Sequence, residues 1–220
     1  MGEIELTGAT VSRPKHARRK QARPGEILQA ALDVFLEHGY AASRVSDIAS
    51  RAGVTKGTVY LYFDDKERLF EAVVRETLGA MMLRGHALAQ AFKGTAVELL
   101  SNVLAHWWNE IVLHEKISAL PRLMIAEARN FPRLAQFYHG CVIAPARSLL
   151  KEVLERGVRS GEFRPVDVEC TIHFIIAPFL YQQSMQHSLV PAVPGMMLGT
   201  ENFLNAFTDH LLHALAARPV

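Results

Sequence analysis

Ser43-Arg44-Val45-Ser46-Asp47-Ile48-Ala49-Ser50-Arg51-Ala52-Gly53-Val54-Thr55-Lys56-Gly57-Thr58-Val59-Tyr60-Leu61-Tyr62-Phe63-Asp64-Asp65-Lys66 reads as two short helices crossed at one tight turn. Val45, Ile48 and Ala49 fall on one helical face, and Ala49 is small where a second helix must cross closely. Gly53 supplies the turn, because a glycine takes the left-handed conformation that ends a helix without the penalty a Cβ brings, and Val54 after it can tuck inward. Thr55 restarts the chain as an N-cap. The helix expected over about 56–62 directs Val59 and Phe63 inward and leaves Lys56, Thr58, Tyr60 and Tyr62 outward, so it presents polar groups rather than adding core.

That presentation suits a major groove. The helix start has unpaired N–H groups and a positive dipole end for a phosphate, with the mobile charge of Lys56 beside it. Gly57 costs about 1 kcal/mol in a helix relative to alanine, a penalty that makes sense where the backbone approaches something closely. Thr58 can meet a base edge or a thymine methyl, while Tyr60, Tyr62 and Lys66 can reach phosphate oxygens. The alternative is a structural helical hairpin with ordinary surface tyrosines.

The run from Ile27 through Phe70 resembles the N-terminal domain of TetR-family transcriptional regulators, with Asp-Ile-Ala, Ala-Gly-Val, Lys-Gly-Thr-Val-Tyr-x-Tyr-Phe and Lys-Glu-x-Leu in order. The resemblance implies a recognition helix at 56–62, with Thr58 and Tyr60 nearest the bases and Lys56, Tyr62 and Lys66 on phosphates. Ser43, Arg44, Thr55 and Gly57 complete the expected DNA-binding set. Family members often carry threonine where this chain has Arg44 and arginine where it has Ser46, which leaves the contacts at the start of the second helix open. Asp64 and Asp65 read as an N-cap for the next helix rather than a DNA contact.

Charge is distributed to match. The chain of 220 residues has a net charge of +2, but residues 13–60 hold nine basic side chains against four acidic, leaving the remainder slightly acidic. Residues 1–23 contain six basic side chains and little apolar periodicity, so a disordered basic arm is expected there, either a solvated tail or an arm that follows the minor groove. No apolar stretch follows those charges as in a signal peptide, and the longest apolar run, Phe174 to Tyr181, is too short to span a bilayer. A soluble, cytoplasmic protein with no membrane partner is expected.

Beyond this module the chain reads as all helix. Helices are expected at about 25–38, ended by Gly39, then from 66 past 82, and at 95–114, 118–130, 132–157, 167–186 and 200–217, with a loop over Val190 to Gly195. The fold class is therefore all-α: a three-helix helix-turn-helix domain over 24–66, then a helical domain over 67–220. Pro145 and Pro178 lie inside helical runs and should bend them. The second domain is rich in bulky, adaptable side chains. These make either a packed core or, as the family resemblance implies, a pocket for a small, largely apolar effector, for which Met81, Trp107, Trp108, Met124, Phe137, Phe174, Pro178 and Tyr181 are the candidates. The last two helices are apolar over more than one face, so Ile172, Ile176, Phe179, Phe203, Phe207 and Leu211 are candidates for a homodimer interface built as a four-helix bundle. A two-fold dimer predicts a palindromic double-stranded DNA operator.

Other chemistry finds little support. His210-x-x-His213 shares a helix face, yet no carboxylate or cysteine stands at matching spacing, so no metal site is expected. Cys141 and Cys170 lie in separate helices of a protein expected in a reducing compartment, which argues against a structural disulfide. With no strands there is no phosphate loop after one, and there is no nucleophile elbow; neither an enzyme nor a cofactor is expected. The leading expectation is a repressor released from its operator by the effector, with an effector-independent DNA-binding dimer, or a helical enzyme or carrier with a degenerate DNA module, as the alternatives.

Overall fold

The computed structural model describes residues 15–188, 193 and 200–217. The first 14 residues of the expected arm and, apart from Val193, the 190–195 loop lie outside them. The arm is helical from Lys15 on, because Lys, Arg, Gln and Ala are good helix formers even without an apolar stripe. It joins α1 (Lys15–Ala42), whose body ends where Gly39 takes φ 75°. Next come α2 (Val45–Arg51), α3 (Lys56–Tyr60) and α4 (Lys66–Val74); α1, α2 and α3 form a three-helix module that α4 closes over Ile27, Ala31, Phe35, Ile48, Val59 and Phe70.

The second part contains α5 (Ala80–Ala91), α6 (Ala96–Trp107), α7 (Ala119–Glu127), α8 (Pro132–Tyr138), α9 (Ala144–Ser160), α10 (Val168–Ser188) and α11 (Thr200–Leu215). These match the expected spans closely. Three of the long runs are not uniform, however: π-helical turns at Arg75–Gly79, Trp108–Val112 and His139–Ile143 join α4 to α5, extend α6, and join α8 to α9. The third has a direct cause in sequence, since Pro145 offers no N–H to the turn before it, and the expected bend is taken up there. Local chemistry sets the ends: Thr95 and Glu98 form a reciprocal capping box on α6, and Asp65 caps α4 by accepting from Arg68 N at 2.7 Å.

The two parts share one continuous core and are tied at the C-terminal turn of α1. Lys66 Nζ donates to the carbonyls of Tyr40, Ala41 and Ser43 at 2.8, 3.2 and 3.0 Å and lies 4.5 Å from the Tyr40 ring. Tyr40 packs edge-on against Phe70 and Phe131, and Glu127 of α7 accepts the Ala41 N–H at 3.1 Å. Burial, together with the carboxylates of Glu67 and Asp65, pushes the Tyr40 phenol from 10.0 up to about 12. The fold thus favours the protonated phenol, a contribution fully present below pH 10 and lost as pH rises toward 12. Lys66, held below its ordinary 10.5 by burial, opposes this only beneath that value. Chemical denaturation should therefore show stability falling between about pH 10.5 and 12, and Tyr40→Phe should shrink the fall; an identical fall in that variant would refute the assignment.

Candidate nucleic-acid interface and ligand cavity

The helix crossing forms as its sequence dictates. Gly53, at φ 62°, closes α2 with a pair of bonds, Val54 N to Ala49 O at 3.0 Å and Gly53 N to Ser50 O at 3.1 Å. Thr55 then caps α3: its Oγ1 accepts from Thr58 N at 3.1 Å and sits 2.9 Å from the Thr58 hydroxyl. Val59 is buried, so the remaining side chains of α3 and the turn after it are turned outward. Lys56, Gly57, Tyr60 and Tyr62 share that outer face, with Lys56 Nζ 5.7 Å from the Tyr60 ring centroid. Leu61, 82% exposed, belongs to the same surface. Its position two residues from both Val59 and Phe63 was the signal that could have marked it, and a thymine methyl is its natural contact.

Other members of the expected set have different surroundings. The Ser43 hydroxyl is buried and donates to Gly39 O and Val34 O, closing the end of α1. Lys66 is engaged with its three carbonyls rather than standing free. Arg51 makes a two-pronged ion pair with Glu37 at 2.5 and 2.6 Å, so it adds little to the outward field. Arg44 is exposed at the N-cap of α2, and Lys56 is the exposed cation of α3. Lys56→Ala should weaken operator binding about tenfold, to a similar extent on related and unrelated sequences, and should lower the slope of log affinity against log salt by about one. Tyr60→Ala should leave the fold intact and weaken binding as well. Unchanged affinity in both variants, measured by anisotropy, would displace the interface from this helix.

On the far side of the core lies a cavity of about 310 Å³, at the lower end of the about 300–1,000 Å³ common for small-molecule sites. Every π-helical turn among the described residues supplies part of its wall: Leu78 from the first, Ile111 from the second, Val142 and Ile143 from the third. Such turns swing side chains off the regular helical stripe and are frequent at functional sites. Met82, Trp107, Pro121, Ile125, Tyr138, Ile176 and Phe179 complete an apolar interior. Polar groups are few. Arg147 bonds Glu169 at 2.5 Å and lies 3.3 Å from His173 Nε2, and Gln183 enters from α10.

Of the pocket residues expected from sequence, Trp107 lines this cavity. Met81, Trp108 and Met124 are buried in the core, and Phe137 lies 5.3 Å from the Arg75 guanidinium. Phe174 and Tyr181 are 72% and 53% exposed on the outer face of α10, with Pro178 half-buried. The residues expected at a dimer surface divide similarly. Ile172 and Phe179 pack inside the protomer and Ile176 faces the cavity; Phe203 and Phe207 are half-buried and Leu211 is buried. A helix with period 3.6 cannot turn all its apolar residues to one partner, and the face α10 leaves open carries Phe174, Ala177 and Tyr181 instead. His210 and His213 each bond a carbonyl of their own helix, at 2.7 and 2.8 Å.

The outer face of α3 and the cavity are joined by two mechanical paths. From the Asp65 cap, α4 runs through its π turn into α5 and reaches the cavity at Leu78 and Met82. The second path is α7, which lines the cavity with Pro121 and Ile125 and meets the end of α1 through Glu127. Lys116, just before α7, pairs with Asp33 of α1 at 2.6 Å.

Known proteins share both parts. Residues 27–73 match the bacterial regulatory proteins of the tetR family, and residues 103–193 match the tetracyclin repressor-like C-terminal domain. The fatty acid metabolism regulator protein of Bacillus subtilis is 31% identical over 147 residues, covering 66% of this chain and 74% of the relative. The transcriptional repressor KstR2 of Mycolicibacterium smegmatis is 27% identical over 173 residues, covering 74% of this chain and 78% of the relative. Among solved structures, the transcriptional regulator FadR of Bacillus subtilis in complex with stearoyl-CoA superposes with a TM-score of 0.72 at 24% identity, covering 87% of this chain and 98% of that one.

Proposed function

This chain belongs to the TetR family of bacterial regulatory proteins, and on that footing we propose that it is a homodimeric repressor whose α3 reads a palindromic operator and whose cavity takes an acyl-bearing effector. The observation that carries this reading is the continuous helical path from the cap beside α3 to the wall of an apolar cavity. The relative named for fatty acid metabolism and the fold neighbour holding stearoyl-CoA support an acyl chain. Here the chain would fill the Leu, Ile, Phe and Trp interior and place its anionic end toward Arg147.

Two recognition helices related by a two-fold axis read half-sites about one DNA turn apart. An occupant that wedges Leu78 and Met82 displaces α4, and one that presses on Ile125 shifts α7 against α1; either motion changes the separation of the α3 helices. The protein acts without a catalytic step, in the cytoplasm. Selection from random duplexes, then footprinting across a salt series, should return a palindrome whose protection weakens as salt rises and is lost on adding dodecanoyl-CoA. Enrichment of no sequence, with or without the ligand, would refute the reading.

A further inference from the structure

Four buried side-chain polar atoms among the described residues have no hydrogen-bond partner: His106 Nε2, Trp107 Nε1, Trp108 Nε1 and Gln183 Oε1. Three come from consecutive residues where α6 passes into the second π turn, and Trp107 and Trp108 both pack edge-on against Phe179, one helical turn before Gln183. Trp107 and Gln183 are 4% and 2% exposed and line the same cavity. Native proteins pair such groups almost without exception, so an orphaned donor and an orphaned acceptor carried by two residues that line one apolar cavity ask for an occupant that satisfies both. The indole N–H can only donate. The carboxamide oxygen can only accept, and a half-turn of its amide presents a donor instead.

We infer that the effector carries an uncharged hydroxyl within its apolar body, held by Trp107 Nε1 and Gln183. A hydroxyl is one small group that accepts from the indole while donating to the carboxamide oxygen. Arg147 is unsuited to this role, since Glu169 and His173 already engage it near the surface. This inference rests on the cavity being the effector site. It adds a selection step: a plain acyl chain still fills the cavity but leaves both atoms unpaired, whereas a hydroxylated one pairs them and binds more tightly.

Cyclododecanol and cyclododecane test this directly, because every ring carbon is equivalent and hydroxyl position is not a variable. Trp107 lines the cavity, so intrinsic fluorescence of the full-length protein reports binding of either probe. The ratio of the two dissociation constants should move at least about tenfold in favour of the hydrocarbon on going from the native protein to Gln183→Leu. Without ligand, the same variant should melt no lower than the native protein, since it replaces an amide whose oxygen is buried without a partner by an apolar group of similar size. An unchanged ratio with both probes bound would overturn the hydroxyl and leave the cavity reading standing. A melting temperature lower by several degrees would make Gln183 structural and overturn it too. Failure of both probes to bind would overturn the cavity reading and this inference together.

Discussion

Gly57→Ala should give a protein that is more stable than the native one and binds its operator at least about tenfold more weakly. The two effects have opposite signs because they have different origins. Gly57 sits in the first turn of α3, and a Cβ built there meets nothing closer than Thr55 Oγ1 at 3.8 Å, so the fold has room for it. Alanine in a helix is favoured over glycine by about 0.5–1 kcal/mol. The open space is on the outward face, beside Lys56 and Tyr60, where the proposed groove contact brings the backbone close to phosphate or base. A methyl group there holds the helix away from the groove. Thermal melting at fixed protomer concentration and anisotropy with operator DNA separate the two effects. A variant as tight as the native protein would mean that the start of α3 does not approach DNA closely.

Trp108→Ala should cost about 3–5 kcal/mol, the range for deleting a large buried aromatic side chain. Trp108 is 1% exposed, meets Phe179 of α10 edge-on at 5.6 Å and stacks on Phe203 of α11 at 5.5 Å. One ring therefore fastens the second π turn to both C-terminal helices. Its loss should lower the urea midpoint and, with the dimer proposed to form through α10 and α11, should also weaken dimerisation. Trp108→Phe keeps a ring in the same stack and should cost far less. A loss under about 1 kcal/mol for the alanine variant would mean that this junction is not a principal fastening of the second domain.

Helix spans and the turn between α2 and α3 were legible in the sequence because their causes are local. Gly53 and Val54, the Thr55 cap and the inward pair Val59 and Phe63 act within a few residues of one another. The cavity was not legible to the same degree. Its wall is set by three π turns, which shift the helical register by one residue, and only Pro145 signals one of them in the sequence. Phe174 and Tyr181 look like core residues by composition yet are exposed, while Tyr138, Arg147 and His173 reach the cavity from helices whose relative rotation no single-chain periodicity specifies. Gln182 and Gln183, two buried amides at the end of the apolar run Phe174 to Tyr181, were the available clue to a polar anchor. Lys66 belongs to the same lesson: a lysine beside a DNA-reading helix invites a phosphate, but here it closes the end of α1 from 26 residues away.

The proposed function stands on coupling between the cavity and α3. Its most direct test is the affinity of the full-length protein for its selected operator, followed by anisotropy as dodecanoyl-CoA is raised until the fluorescence of Trp107 and Trp108 stops changing. Affinity should fall about 5- to 150-fold and level off at that same ligand concentration, the range of coupling typical between two sites on one protein. Operator affinity that stays constant while the tryptophans report a filled cavity would contradict it.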